Sequence, residues 1–451
     1  MADALPLVAA NGKALALRIL DATMAAIDVR HAMLARIGLE GQTLVAGSES
    51  IDLAKPPRLI AVGKAANRMA ATLDEVLGGR IESGLVVSPS VPPQILSHFR
   101  YFQGGHPYPN AGSLGGAEAA IELLTGLTES DTVIYLISGG GSALFEKPFD
   151  PQITLSDLIE LNRLLVGCGL PIEQINVIRK HLSSVKGGRL AARAYPARQL
   201  TIYISDVPDN MPSMVASGPT MPDKSTAEQC YTLVKKHALT PKLPASIRKH
   251  FEAHSLEETP KPGDPRFARS RYYRLLSNQD ALEAAKTAAE DLGFAAEIDV
   301  GNWDAHYRQV VDESMDRLDA ARKRNPGKAF CLIQGGEVIS PVMGNGMAVA
   351  TRPLRFMRPT RSPRRSAPCS VPEPTAATAT APRAEPWLTA RPWRARATWA
   401  LMRRNISRPA IPITSSPPLG IPLKRATPTT MFETCGIGWT LSEQQGKRQR
   451  S

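Results

Sequence analysis

Cysteine is scarce and scattered in this chain. The five thiols, Cys168, Cys230, Cys331, Cys369 and Cys435, form no CxxC pair and no metal-ligand spacing. That excludes a disulfide framework and a thiolate zinc centre, and it fits a reducing, cytoplasmic setting. No apolar run approaches the roughly 20 residues needed to cross a bilayer, so no membrane partner is expected. The N-terminus carries Asp3 and a helix-like stripe of Leu17, Leu20, Met24 and Ile27, not the pattern of a signal peptide. A dinucleotide fingerprint, Gly-x-Gly-x-x-Gly after a strand, is also missing. Gly139–Leu144 lacks the third glycine and Gly63–Met69 lacks the second. Hydride chemistry with a nicotinamide cofactor is therefore disfavoured.

The charge is unevenly spread. The whole chain carries +12, which by itself would suggest an anionic partner. Residues 348–451, however, hold 18 Lys and Arg against 4 Glu and no Asp, whereas the first 347 residues hold 36 basic and 38 acidic side chains. Fifteen of the 38 prolines also fall in that last segment. The body is near neutral and long enough for two domains. The tail has no sustained period of 2 or 3.6, and its prolines remove backbone donors, so disorder is expected there.

Through the body, strand-like runs alternate with amphipathic ones. Strands are expected at Leu59–Val62, Leu85–Ser88, Thr132–Ile137 and Leu200–Ile204, then at Tyr272–Leu276, Ala295–Val300 and Phe330–Ile333. Helices are expected at Ala65–Leu77, Leu114–Leu127 and Leu155–Val166. Such alternation implies an α/β fold with a parallel sheet covered on both faces. The polar segment Glu257-Glu-Thr-Pro-Lys-Pro-Gly-Asp264 reads as a boundary, after which the βα rhythm restarts. The expected division is 1–255, 265–347 and a separate tail, 348–451, with a cleft between the first two.

Ligands of open α/β sheets bind beyond the carboxyl ends of the strands. Val62 is followed by Gly63-Lys64, Ile137 by Ser138-Gly-Gly-Gly-Ser142, and Ile204 by Ser205-Asp206-Val207. A cation, a loop almost without side chains and a carboxylate thus share one rim. That combination suits phosphoryl transfer. Each element also has an ordinary role: Lys64 as a solvated first-turn lysine, the glycines as a tight turn, Asp206 as a turn cap. A further basic group, Arg179, Lys180, Lys186 and Arg189, lies in Asn176-Val-Ile-Arg-Lys-His-Leu-Ser-Ser-Val-Lys-Gly-Gly-Arg-Leu190. It reads either as a solvated helix face or as a source of cations for a cleft, with Lys186 turning into that cleft where the glycines end the helix.

Several words go further than composition. Gly63-Lys-Ala-Ala, Gly105-His-Pro107, Ser138-Gly-Gly-Gly-Ser-Ala-Leu144, Arg179-Lys-His-Leu-Ser-Ser-Val-Lys-Gly-Gly-Arg-Leu190, Ser205-Asp-Val207, Ala216-Ser-Gly-Pro-Thr220, Lys261-Pro-Gly-Asp264 and Gly335-Gly-Glu337 occur in this order. Together they resemble the glycerate 2-kinase family of MOFRL type, whose members are often labelled hydroxypyruvate reductases. The resemblance implies a Rossmann-like three-layer N-terminal domain and a smaller α/β C-terminal domain. It implies ATP- and Mg²⁺-dependent phosphorylation of the 2-hydroxyl of D-glycerate, a small-molecule substrate. Lys64 would be the catalytic lysine. Ser138, Gly139, Gly140, Gly141 and Ser142 would hold phosphate oxygens, and Asp206 a metal ion. Arg179, Lys186, Gly335 and Glu337 would meet the substrate. The family's usual acidic word, Ser-Asp-Val-x-Gly-Asp, here reads Ser205-Asp-Val-Pro-Asp-Asn210, a departure at Asp209. An NAD(P)H-dependent hydroxypyruvate reductase is the alternative, opposed by the missing fingerprint.

The resemblance stops after Met347. The family continues with Gly-Gly-Arg-Asn-Gln, whose arginine is its second key cation, whereas this chain reads Ala348-Val-Ala-Thr-Arg-Pro353. Codons for Met347 to Pro359, read one nucleotide out of register, permit Gly-Gly-Arg-Asn-Gln-Ala-Phe-Ala-Leu-Tyr-Ala-Ala. Two later stretches, 371–382 and 420–440, recover further family words in the same register. Loss of one nucleotide accounts for the change, and the 451-residue chain is then expected to be a poor enzyme with fewer strands in its second sheet. Sixteen tail arginines interleaved with Trp387, Trp393 and Trp399 could grip nucleic acid. An out-of-register origin makes that pattern accidental, and no specific nucleic-acid partner is expected.

Overall fold

The computed structural model describes residues 4–208, 210–300, 307–335 and 435–440. Three sheets organise them. Ile37–Glu40 (β1), Thr43–Ala46 (β2) and Glu49–Asp52 (β3) form an antiparallel meander. Arg58–Val62 (β4), Ser83–Ser88 (β5), Phe99–Gln103 (β6), Thr132–Ile137 (β7), Arg198–Ile204 (β8) and Ser270–Leu276 (β9) form a parallel sheet in the order β6-β5-β4-β7-β8-β9. Ala295–Asp299 (β10) lies parallel to Phe330–Gly335 (β11), and Cys435–Thr440 (β12) pairs antiparallel with β11.

The large sheet is a filled sandwich because its central strands are apolar on both sides. All six residues of β7 are buried. Ile134 and Leu136 join one core with Leu59, Val86, Leu200 and Ile202, while Val133, Tyr135 and Ile137 join the other with Ile60, Val62 and Leu85. Period-2 alternation thus feeds two cores at once, as expected for a parallel strand with helices on both faces. The helices Ala66–Val76 and Ala111–Leu123 arise close to the expected stretches, the second beginning three residues early. Asn110 caps it by accepting from the N–H of Ser113.

Strand order places the switch point between β4 and β7. From β4 the chain runs through β5 to β6 on one side, then returns to lay β7 on the other side. The crevice at the carboxyl end of such a junction is where this fold class receives ligands.

Three features differ from expectation. The rhythm does not restart with a new sheet at residue 265: β9 pairs with β8 from Ser270 to Leu276 and finishes the large sheet, so the second sheet begins at Ala295. The meander and the edge strand β6 were not anticipated. Finally, β12 shows that the tail contributes a strand, where none was expected; it covers one side of β11. The rest of the tail, Asp209 and Glu337 lie outside the described residues. Among those residues no helix is long and apolar enough to cross a membrane.

A helical cluster made by Leu155–Gly167, Ile172–His181, Ala227–Lys236 and Ala245–Glu252 has its own apolar core, including Leu161, Ile178, Cys230 and Ile247. A buried ion pair locks it. Lys180 Nζ donates to Asp223 Oδ1 at 3.0 Å, and Asp223 Oδ2 also accepts from Ser225 Oγ and Thr259 Oγ1. Burial raises the Asp223 pKa, but the Lys180 charge and the Ser225 hydrogen bonds outweigh it, leaving the carboxyl below its usual range. Lys180→Ala would strand this carboxylate and is expected to cost about 3 kcal/mol in urea unfolding at neutral pH. A folded-state pKa below the unfolded value gives stability at pH above the unfolded value, lost as pH falls through the folded one. The wild-type advantage over Lys180→Ala should therefore shrink in acid.

Candidate active site

The ends of β4 and β7 are stitched together by backbone and one hydroxyl. Ser138 N–H donates to Val62 O at 2.9 Å, and Lys64 N–H to Gly139 O at 2.9 Å. The buried Ser138 Oγ accepts from Ala65 N–H at 3.0 Å. Its hydroxyl therefore holds two strand ends in register. That occupies the Ser138 hydroxyl, which was expected to meet a phosphate.

Beyond this stitch the loop has no room for side chains. A Cβ on Gly139 would lie 2.0 Å from Asp206 Oδ2. One on Gly140 would lie 3.0 Å from Lys64 Cγ and 3.3 Å from His106 Cδ2, and Gly140 has φ of +83°, a region costly for other residues. Lys64, His106 and Asp206 thus converge on bare loop backbone from three separate strand ends. A cation, a carboxylate and approachable backbone donors meet at the switch point. Such a set could hold phosphate oxygens together with an oxygen-seeking cation. Among the described residues no group of three or more His, Cys, Asp or Glu gathers into a metal cluster. A single carboxylate is nonetheless enough for Mg²⁺, which takes one or two carboxylates along with substrate phosphates.

Behind the loop lies a second set of charges. The short helix Gly141–Leu144 leads to Glu146, which is buried and pairs with the fully buried ammonium of Lys186. Glu146 Oε1 also accepts from Ser183 Oγ at 2.6 Å. Burial draws the Lys186 pKa down, against the pull of Glu146. Arg179 donates through Nη2 to Asn162 Oδ1 at 2.7 Å, and burial brings its guanidinium down to about 10. Lys186 does not turn into a cleft as expected: it is buried in the protein interior against Glu146.

Gly335 ends β11 against the N-terminus of the helix Asn278–Asp291; a Cβ there would lie 2.5 Å from Asn278 Nδ2. Asn278 lies two residues beyond the end of β9, and Leu276 O accepts from Ser205 N–H at 2.9 Å. The end of the second sheet is thereby tied to the rim that carries Asp206.

A family model described as a domain of unknown function, DUF4147, matches residues 15–252, more than half of the chain. The D-glycerate 2-kinase of Thermotoga maritima is 36% identical over 294 residues, covering 64% of this chain and 67% of that protein. The glycerate 2-kinase of Pyrococcus horikoshii is 31% identical over 345 residues, covering 75% and 77%. The chain belongs to the glycerate kinase family. A crystal structure of the glycerate kinase from T. maritima superposes with a TM-score of 0.59 at 32% identity, over 75% of this chain and 77% of that one. A solved protein from P. horikoshii gives 0.60 at 31% identity, over 74% and 77%.

Within this glycerate kinase fold the structure brings together Lys64, Gly139, Gly140 and Asp206, as anticipated. It sets Arg179 and Lys186 behind the loop. Three polar residues of the neighbourhood had no assigned role: His106, Asn278 and Ser217. His106 and Ser217 do sit inside family words, Gly105-His-Pro107 and Ala216-Ser-Gly-Pro-Thr220, which was the available signal. Asn278 carried none.

Proposed function

We propose that the protein is a glycerate kinase of ATP-dependent type, transferring the γ-phosphoryl group to the 2-hydroxyl of D-glycerate to give 2-phosphoglycerate. The observation that carries this reading is the convergence of Lys64 and Asp206 on a loop whose glycines leave no space for a Cβ. Phosphoryl transfer needs little covalent help from protein; it needs positioning and charge neutralisation. Backbone N–H groups of Gly139–Ser142 would hold phosphate oxygens. Lys64 would offset charge that builds on the transferring group. Asp206 would hold Mg²⁺, which would supply charge neutralisation at the phosphate oxygens. Glu146 and Lys186 would stiffen the base of the loop.

Relatives named glycerate kinase support the substrate. The 2-position is tested by coupling the reaction to enolase, pyruvate kinase and lactate dehydrogenase without phosphoglycerate mutase. NADH loss that requires both ATP and D-glycerate supports the reading. Product detected only after the mutase is added would refute the 2-position. Direct NADH oxidation by hydroxypyruvate, without ATP, would favour the reductase reading instead.

A further inference from the structure

Ala216, Ser217 and Gly218 occupy the left-handed region in succession, with φ of +52°, +59° and +61°. Only the last is glycine, so two residues hold a conformation that costs energy and persists only where its surroundings enforce it. The enforcing contacts are local and well defined. Ser217 O accepts from Gly187 N–H at 3.1 Å, and Gly218 O from Gly188 N–H at 2.7 Å. Ser217 is fully buried, and its hydroxyl donates to Asn176 Oδ1 at 3.0 Å. Its oxygen stands 2.8 Å from Ser142 Oγ. Because the Ser217 hydrogen goes to Asn176, the Ser142 hydroxyl must be the donor to Ser217. A one-way relay results: Ser142 to Ser217 to Asn176.

The relay joins the glycine-loop side of the site to the helical cluster. Asn176 is buried on the helix Ile172–His181 of the helical cluster, while Ser142 lies in the first turn after the glycine loop. Ala216 packs directly beneath that loop, since a Cβ on Gly141 would lie 2.4 Å from Ala216 Cβ. The 216–218 backbone thus lies against the loop, and the hydroxyl relay holds it there. We propose that Ser217 and Asn176 are positioning residues that set the glycine loop for nucleotide phosphate. The proposal rests on the kinase reading of that loop.

The test is calorimetric titration of the full 451-residue chain with Mg²⁺ and ATP, with thermal midpoints measured alongside. Ser217→Gly removes the hydroxyl while suiting the left-handed backbone. Its ATP Kd is expected to rise about tenfold, the worth of one well-made hydrogen bond, with the midpoint held within a few degrees. Asn176→Leu should raise Kd similarly, and Asn176→Asp, which keeps the acceptor, should stay within about threefold of wild type. Wild-type Kd in Ser217→Gly would overturn the positioning role while leaving the kinase reading intact. Equal losses in all three variants with parallel falls in midpoint would also overturn it, as a purely structural effect. A wild-type chain that takes up no ATP would overturn both.

Discussion

Restoring one nucleotide directly after the Met347 codon is expected to raise glycerate-dependent ADP release at least about 10³-fold over the 451-residue chain, the scale at which a single arginine acts in phosphoryl transfer. The restored reading permits Gly-Gly-Arg-Asn-Gln in place of Ala348-Val-Ala-Thr-Arg352. In the family resemblance that arginine is the second cation of the site. Its delivery is physically reasonable, because β11 ends at Gly335 against Asn278, on the same rim as Asp206. The chain beyond β11 therefore sets out from the place where the cation is needed. A guanidinium is suited to the task through its fixed fork of donors, and Arg352 of the present reading is followed by a proline-rich stretch with no comparable motif. Comparison of purified chains with and without the added nucleotide checks this. Equal turnover in the two would remove the arginine from the account.

In the restored protein, Lys64→Ala should lower kcat/KM about 10³-fold, as expected when one preorganised charge is taken from a developing phosphoryl transition state. The fold should survive, because the stitch at this position uses the Lys64 backbone N–H to Gly139 O and not the side chain. Lys64→Arg is not expected to recover wild-type rates: the stem packs beside Gly140 and His106, and a planar guanidinium does not reproduce a compact ammonium there. Steady-state kinetics with both substrates varied, together with thermal midpoints, provide the measurement. Less than a tenfold loss with an intact midpoint would show that Lys64 is a surface lysine after all.

The main sheet was legible because its strands announce themselves chemically. A run such as Thr132–Ile137 is almost wholly apolar and buried at every position, as a central parallel strand with both faces covered must be. Its termination in three glycines pointed to the rim where Lys64 and Asp206 are found. The β1–β3 meander is made of four-residue strands with mixed burial, too short for periodicity to register, although its Gly47-Ser48 turn is a recognisable hairpin cue. Strand β6 is an edge strand with an exposed arginine and glutamine, so its alternation is weak. The misplaced restart at residue 265 has a different cause. A polar loop marks a change of direction, but pairing partners are chosen by register, and β9 returns to β8. Lys186 shows the limit most clearly: the glycines after it suggested a turn into a cleft, while the partner that buries it, Glu146, lies forty residues away in sequence.

The place of β9 also governs the order of assembly. Chains leave the ribosome from the N-terminus, and domains generally fold as units as they emerge. Every strand of the large sheet, together with Lys64, the glycine loop and Asp206, is encoded before residue 277. That sheet can close its outer edge while the altered codons are still untranslated. A loss of reading register beyond Met347 would thus strike after the scaffold is complete, removing chemistry from a body that has already folded.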